Sequence, residues 1–462
     1  MGIVAGIMVP HPPLIVPAVG RGGERGIAAT VRAYERAAEF AMSFEPEVLL
    51  FVSPHAVMYA DYFHVSPGAG ASGNFAQFGA PQEAFNVAYD VEFVRGLEAA
   101  AGKSGFPAGT LGERDKRLDH GVMVPLYFIS RAAGKMPKAV RVGLSGLPLT
   151  KHYEFGRLIA ETAEKLGRRA VVVASGDLSH KLKTDGPYGF SPDGPVYDKR
   201  IMDVMGRAAF GELFDFSEDF CESAAECGHR SFVIMAGALD GRAVRAERLS
   251  HEGPFGVGYG VCTFEGGARD DSRRFLKNYA EKEKQRLAAI KSAEDEYVRL
   301  ARASVEHYVR TGRRLEMPDG LPDDMMCRRA GVFVSLHEDG RLRGCIGTIA
   351  PVTPCIAREI IDNGVSASSR DPRFNPVEPE ELDRLVYSVD VLEPPETISS
   401  PTQLDVKKYG VIVTKGGRRG LLLPNLDGVN SVDEQIAIAK QKAGIAQGEE
   451  VELERFEVTR HF

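Results

Sequence analysis

Short apolar runs alternate with helix-patterned stretches over residues 1–265. IVAGIMV (3–9), EVLLFVS (47–53), AVRVGLS (139–145) and AVVVASG (170–176) are rich in Val, Ile and Leu and stop at Gly, Ser or Pro. That is the pattern of strands buried on both faces. Helical candidates lie between them at 24–42, 91–102 and 153–166. The alternation predicts an α/β domain, a mainly parallel sheet flanked by helices. GVGYGVCTF (256–264) reads as the strand that closes it.

The pattern then changes. Residues 267–300 are strongly charged and contain no proline, so 267–290 is expected to be a charged helical linker between a domain at 1–266 and another at 291–462. The second domain reads as α+β. It starts with a helix (292–310) and a Pro/Gly-rich loop (313–324), followed by a hairpin centred on Asp339-Gly340. Further strands are expected at 384–392, 409–416 and 418–424. No repeat with a solenoid-like period is visible.

Composition narrows the function classes. The chain has 462 residues, 44% hydrophobic and 26% charged, with a formal net charge of −7. These are ordinary values for a globular chain, and the spread-out acidic excess argues against nucleic acid as a partner. The apolar opening lacks a basic flank and is broken by Pro10, Pro12 and Pro13, so no signal peptide is expected. No run approaches the roughly 18 apolar residues that span a bilayer. Cys221, Cys227, Cys262, Cys327, Cys345 and Cys355 form no C-x-x-C pair, which predicts a reducing, cytoplasmic setting without a disulfide framework.

Histidines carry the candidate chemistry. His11, His55 and His180 each follow a predicted strand, and His120 opens a predicted helix. Ligands of open α/β sheets bind beyond the carboxyl ends of the strands, where three of these converge if the strands are neighbours. Two neutral imidazoles and one anion bind a divalent ion facially and leave positions free for substrate and O2, the non-haem Fe(II) pattern. Glu226 and Cys227 are alternatives for the anion. His180 fits a general base and acid, with Asp177 near enough in sequence to orient its ring. A satisfied polar histidine at a strand end is the simpler explanation of each residue taken alone. Aromatic side chains of the loops 57–90 and 181–196, such as Tyr59, Tyr62, Phe63, Tyr188 and Phe190, are expected to line the pocket.

VPHPPLIVP (9–17), SPHA (53–56), LDHG with VPLYF (118–128), ASGDLSH (174–180) and ECGHRSFVIMAGALDG (226–241) occur in an order that resembles the LigB-type class III extradiol ring-cleavage dioxygenases and the related Memo proteins. The resemblance covers about residues 1–265. It implies that His11 and His55 are metal ligands, His180 the catalytic acid/base and His120 a neighbour that steers oxygen or substrate. Glu226 would be the third ligand of the dioxygenase branch and Cys227 that of the Memo branch. The implied activity is Fe(II)-dependent cleavage of a catechol-like substrate by O2. The alternatives are a Memo-like metal-binding scaffold without ring cleavage, and a Zn2+ site, which the same donors also suit.

GVFVSLHEDGRLRGCIGTIAP (331–351), DPRFNPV (371–377) and ELDRLVYSVDVLEPPE (381–396) resemble the AMMECR-type domain. Chains that join the two domains resemble components of the AmmeMemoRadiSam set, which implies a radical-SAM partner protein. A homo-oligomer is the expectation for such folds. Within LRGCIG, Cys345 reads as a packed cysteine beside a surface histidine, His337. Arg343 reads as an exposed hairpin arginine, or, given Gly344 and Gly347, as a docking point for an anion or a partner chain. The basic cluster Lys415 to Arg419 reads as a solvated turn.

Overall fold

The computed structural model describes residues 2–113, 115–426 and 428–462. The chain divides into two units, residues 1–281 and 282–462. The division falls inside the helix Phe275–Ala293, within the stretch expected to link the domains. No described helix is long and apolar enough to cross a membrane.

The first unit is built on a six-stranded sheet in the order Lys138–Val142, Val48–Val52, Arg169–Ser175, Gly2–Val9, Tyr259–Arg269, Arg242–Glu252. The first four strands are parallel. The last two add antiparallel, so the sheet is mainly rather than wholly parallel. Alternation along the strands sorts the core into two layers. Leu49 and Phe51 pack under the helices Ala28–Ser43 and His120–Ala132. Val48, Leu50 and Val52 face Val91–Ser104, Leu149–Lys165 and His229–Ala238. Both faces are covered, which is why the strands read as continuous apolar runs.

Two departures have simple causes. Arg242–Glu252 is an edge strand, RAVRAERLSHE, whose charged residues hide it from an apolar-run search and protect the open edge. The hairpin Gly70–Phe75 with Ala80–Ala88 lies in a stretch read as loop, since GASGNF has neither β-branched residues nor clear alternation.

The second unit carries two four-stranded antiparallel sheets. Arg341–Gly347, Gly331–Glu338, Leu385–Leu392 and Val458–His461 pack one face on the helices Glu296–Thr311 and Ile356–Ser369. Glu396–Ile398, Glu452–Phe456, Gly410–Lys415 and Arg418–Leu422 form the other sheet, packed on the helix Val432–Lys442. Arg343 is not an exposed hairpin arginine. Its guanidinium is held by Glu381 at 2.6 Å and by the carbonyls of Asn375 and Pro376, so it clasps the 375–381 segment to the sheet and is not free to bind an anion. The Lys415 to Arg419 turn forms surface ion pairs with Glu449 and Glu454.

In the first unit, the helices Leu149–Lys165 and His229–Ala238 approach so closely that a Cβ at Gly156 would lie 2.0 Å from the Ile234 carbonyl oxygen. A backbone atom cannot swing aside as a side chain can. Gly156→Ala is therefore expected to cost about 1–3 kcal/mol by overpacking, read as an earlier midpoint in chemical denaturation. An unchanged midpoint would show that the helix pair has slack.

Candidate metal centre

The carboxyl ends of the central strands bring the histidines together. His11 leaves the strand Gly2–Val9, and its amide donates to Asp177 Oδ1 at 2.8 Å, just beyond the neighbouring strand. Its ring Nδ1 lies 3.0 Å from Ser175 Oγ. With an Nδ1–H donated to that oxygen, Nε2 is left as a free donor atom. His55 Nε2 lies 3.0 Å from His11 Nε2. The His120 ring lies 4.0 Å from that of His55, centroid to centroid, and 5.3 Å from that of His11. One ligand atom from each of the three lies within 4.8 Å of the others.

His120 thus stands beside the two expected ligands, close enough to reach the same ion or a molecule bound to it. Cys227 Sγ adds a further donor, 3.5 Å from His11 Nε2. Glu226, the alternative anion, points elsewhere. Its Oε2 accepts from the His229 amide at 2.5 Å, at the start of the helix His229–Ala238, and its carboxyl also meets Tyr197. An acceptor at a helix N-terminus is a satisfied structural position.

The sharp turns here depend on glycine. A Cβ on Gly176 would fall 2.0 Å from the Gly228 Cα, so the 175–180 and 226–229 segments touch backbone to backbone. Cys227 and Asp177 are laced by their main chains, the Asp177 amide donating to Sγ at 3.3 Å and the Cys227 amide to the Asp177 carbonyl at 3.4 Å.

Asp177 does not orient His180, as its place in the sequence led us to expect. Its carboxylate is turned back to the His11 amide, and His180 Nδ1 bonds the Ala225 carbonyl instead. His180 stands beside Tyr188, with ring centroids 5.1 Å apart, and is close enough to act electrostatically on His11 and His55. Phe63, expected in a pocket wall, is buried in the core against Phe155.

Sequence reading missed the residues that hold these histidines in place. Ser53 Oγ donates to Asp119 Oδ1 at 2.6 Å and accepts from the His55 amide at 3.2 Å. The same Asp119 oxygen caps the helix that His120 opens, accepting from the Val122 amide at 3.2 Å. Arg141 Nη2 lies 3.3 Å from Asp119 Oδ2, and both side chains are nearly enclosed. One carboxylate therefore anchors both the His55 turn and the His120 helix. An N-cap aspartate immediately before His120 was the legible signal.

The titratable groups share a trait that tests whether a metal fits. Burial, with the neighbouring imidazoles, pushes His11 well below its ordinary value, and burial with His55 pushes His120 down to about 4. Burial raises Asp177 and Glu226 to about 7 each, and burial with those two carboxyls raises the Cys227 thiol well up. Neutral imidazoles and acids that resist ionising are a donor set awaiting a positive charge. A divalent ion reverses this logic, stabilising thiolate and carboxylate while using the imidazole lone pairs. The residues fit a metal. A groove of ≈ 780 Å³, walled by the Gly70–Phe75/Ala80–Ala88 hairpin, opens onto His55 and His120 and gives a ligand access.

Residues 5–262 match the family model described as the catalytic LigB subunit of aromatic ring-opening dioxygenase, and 298–461 match AMMECR1. The chain belongs to the LigB family and carries an AMMECR1 domain after its LigB domain. A protein of Clostridium acetobutylicum is 41% identical over 463 residues, 98% of each chain. A shorter protein of Thermotoga maritima is 52% identical over 170 residues, 36% of this chain and 98% of its own. A solved structure, the uncharacterized protein PH0010 of Pyrococcus horikoshii, shares 35% identity and covers 36% of this chain and 88% of its own, with a TM-score of 0.34.

The Asp119 anchor can be tested directly. Asp119→Asn combined with Arg141→Met removes both charges but keeps a capping side chain, so the fold should survive. Metal affinity is expected to fall about 10–100-fold, the usual cost of losing an outer-shell partner, read by competition with a chelator. Ser53→Ala, which loosens only the His55 turn, should lose less. Wild-type affinity in the folded double variant would remove Asp119 from this role.

Proposed function

We propose that the first unit is a mononuclear, iron-dependent oxidoreductase of the dioxygenase type, acting on a catechol-like substrate with O2 and holding its ion through His11, His55 and Cys227. The convergence of three imidazoles, two of them lining a groove, with the Cys227 thiol beside His11 carries this reading. Iron(II) held by these residues would supply a Lewis-acidic, redox-active centre for a substrate's hydroxyls and O2.

The chain's own residues do the rest. His180 is neutral, pushed down by burial, and its Nδ1 is tied to the Ala225 carbonyl. Its other nitrogen is free to take a proton from a substrate hydroxyl and return it later. His120, also neutral, lies beside His55 in the groove wall and can donate a hydrogen bond to an oxygen of the substrate. Ser175 and Asp119 hold the rings of His11 and the backbone around His55 and His120, so that orientation does not have to be found anew in each turnover.

One observation favours a second reading. With Glu226 occupied at a helix N-terminus, the His/His/carboxylate set of the ring-cleaving branch lacks its carboxylate, and the same donors also suit a thiolate-ligated, Memo-like metal protein without ring cleavage. Protein purified without oxygen is expected to carry stoichiometric iron and to consume O2 with at least one member of a catechol panel. Iron retained with no uptake across the panel would leave the second reading standing, and zinc in place of iron would sink the first. For the ligand set, Cys227→Ser is expected to release the metal and Glu226→Gln to keep it. The reverse result would return Glu226 to the ion.

A further inference from the structure

The helix Asp193–Gly206 of the first unit buries a stripe of Ile201, Met202 and Met205, and the position that extends this stripe at helical spacing is Asp198. Its residue is 1% exposed. A carboxylate in an apolar stripe is costly to bury unless fixed partners meet it. Both of its oxygens are met. Oδ1 accepts from the Ser179 amide at 2.8 Å, and Oδ2 lies 2.8 Å from His251 Nε2. A Cβ on Gly258 would fall 2.0 Å from Oδ2, so the chain beside the carboxylate has no room for a side chain.

Ser179 precedes His180, and it is bound on every side. Its carbonyl accepts from the Gly258 amide at 2.8 Å, and its hydroxyl donates to the Ala224 carbonyl at 2.8 Å. The His180 amide donates to that same carbonyl at 3.2 Å, and the ring Nδ1 bonds the carbonyl of Ala225. Ala225 holds a φ of 52°, in the left-handed region that favours glycine. Another residue stays there only where its surroundings fix it. The direction of the His180 ring is thus set from two sides, by the Ser179 backbone and by the Ala225 carbonyl.

His251 closes this frame from outside. It lies near the end of the edge strand Arg242–Glu252, which runs in the same sense as Gly2–Val9 and so ends at the pole of the metal centre. Its side chain is 25% exposed, whereas that of Asp198 is enclosed.

We propose that Asp198, held by His251, is a positioning residue for His180, pinning the Ser179 amide and with it the imidazole that follows. The role rests for its purpose on the reading of His180 as proton carrier; the frame itself does not depend on that reading. The carboxylate also bears on the chemistry of the ring. Burial pushes His180 down, while the Ala225 carbonyl and the Asp198 charge act in the other direction and favour acceptance of a proton. The plainer account makes Asp198 a tie between a helix and an edge strand, adding stability alone. The two accounts part in what happens at His180 when the folded protein loses the carboxylate.

Diethyl pyrocarbonate acylates neutral imidazoles, and peptide mass spectrometry reads each histidine separately without any turnover. In the full-length protein as purified, near neutral pH, Asp198→Ala is expected to speed acylation of His180 several-fold, because a released ring is more open to attack. His152, buried elsewhere in the first unit, should stay unreactive, and the metal content should not change. Asp198→Asn keeps an acceptor for the Ser179 amide and a donor for the His251 ring, so it should restore the wild-type rate. His251→Ala frees one carboxylate oxygen and should shift His180 in the same direction by less; it decides the matter if Asp198→Ala does not fold. The role is overturned if His180 reacts at the wild-type rate in the folded variants, if Asn fails to restore that rate, or if His152 becomes reactive or metal is lost along with the change. Absence of O2 uptake would count against ring cleavage and leave this result standing.

Discussion

The His11 amide donates to the Asp177 carboxylate at 2.8 Å, and that buried bond joins the carboxyl ends of two adjacent parallel strands. The His11 and Cys227 side of the metal centre is hung from it, as the His55 and His120 side is from Asp119. Asp177 in turn laces its main chain to Cys227, and the Gly176–Gly228 approach permits that contact because neither residue has a side chain to interpose. Two strand ends and the turn before a helix are thereby locked to one another. The imidazole of His11 and the thiol of Cys227, 216 positions apart in sequence, meet at 3.5 Å as a result. A carboxyl raised to about 7 is an expensive group to bury, and its retention here reflects what it organises.

Much of this was legible in the chain. The Val, Ile and Leu runs at 3–9, 47–53 and 170–176 correspond to strands buried on both faces, and periodicity reads such strands well. Histidines at strand ends then follow from topology. What could not be read is whatever depends on contacts between distant segments. Nothing local distinguishes Glu226 from Cys227; only the direction of the following helix turns one carboxylate into a cap and leaves the next residue facing His11. Asp177 failed for the same reason. Nearness in sequence to His180 implied a partnership, whereas the strand register delivers its side chain to His11. The edge strand Arg242–Glu252 and the hairpin after Gly70 were missed because edges and glycine-rich ribbons lack the apolar signal of a buried strand.

The second unit shows the same principle on a smaller scale. Strand alternation makes one face of its first sheet an ordinary core, and that half of the pattern was visible as Val, Leu and Tyr at every second position. The polar half acquires meaning only from cross-strand register, which sets Ser335 between Cys345 and Ser388 and places Arg460 on Asp390. Arg343, the residue that looked most available, is the one most fully consumed.

Electrostatics gives the metal centre its character. On Asp177 and Cys227, no lysine or arginine is among the acting groups, and burial drives both acids toward their neutral forms. The nearby guanidinium of Arg141 is already committed to Asp119. Positive charge at that centre must therefore come from outside the chain, and soft and borderline donors beside imidazoles direct it toward a transition metal in preference to Mg2+ or Ca2+.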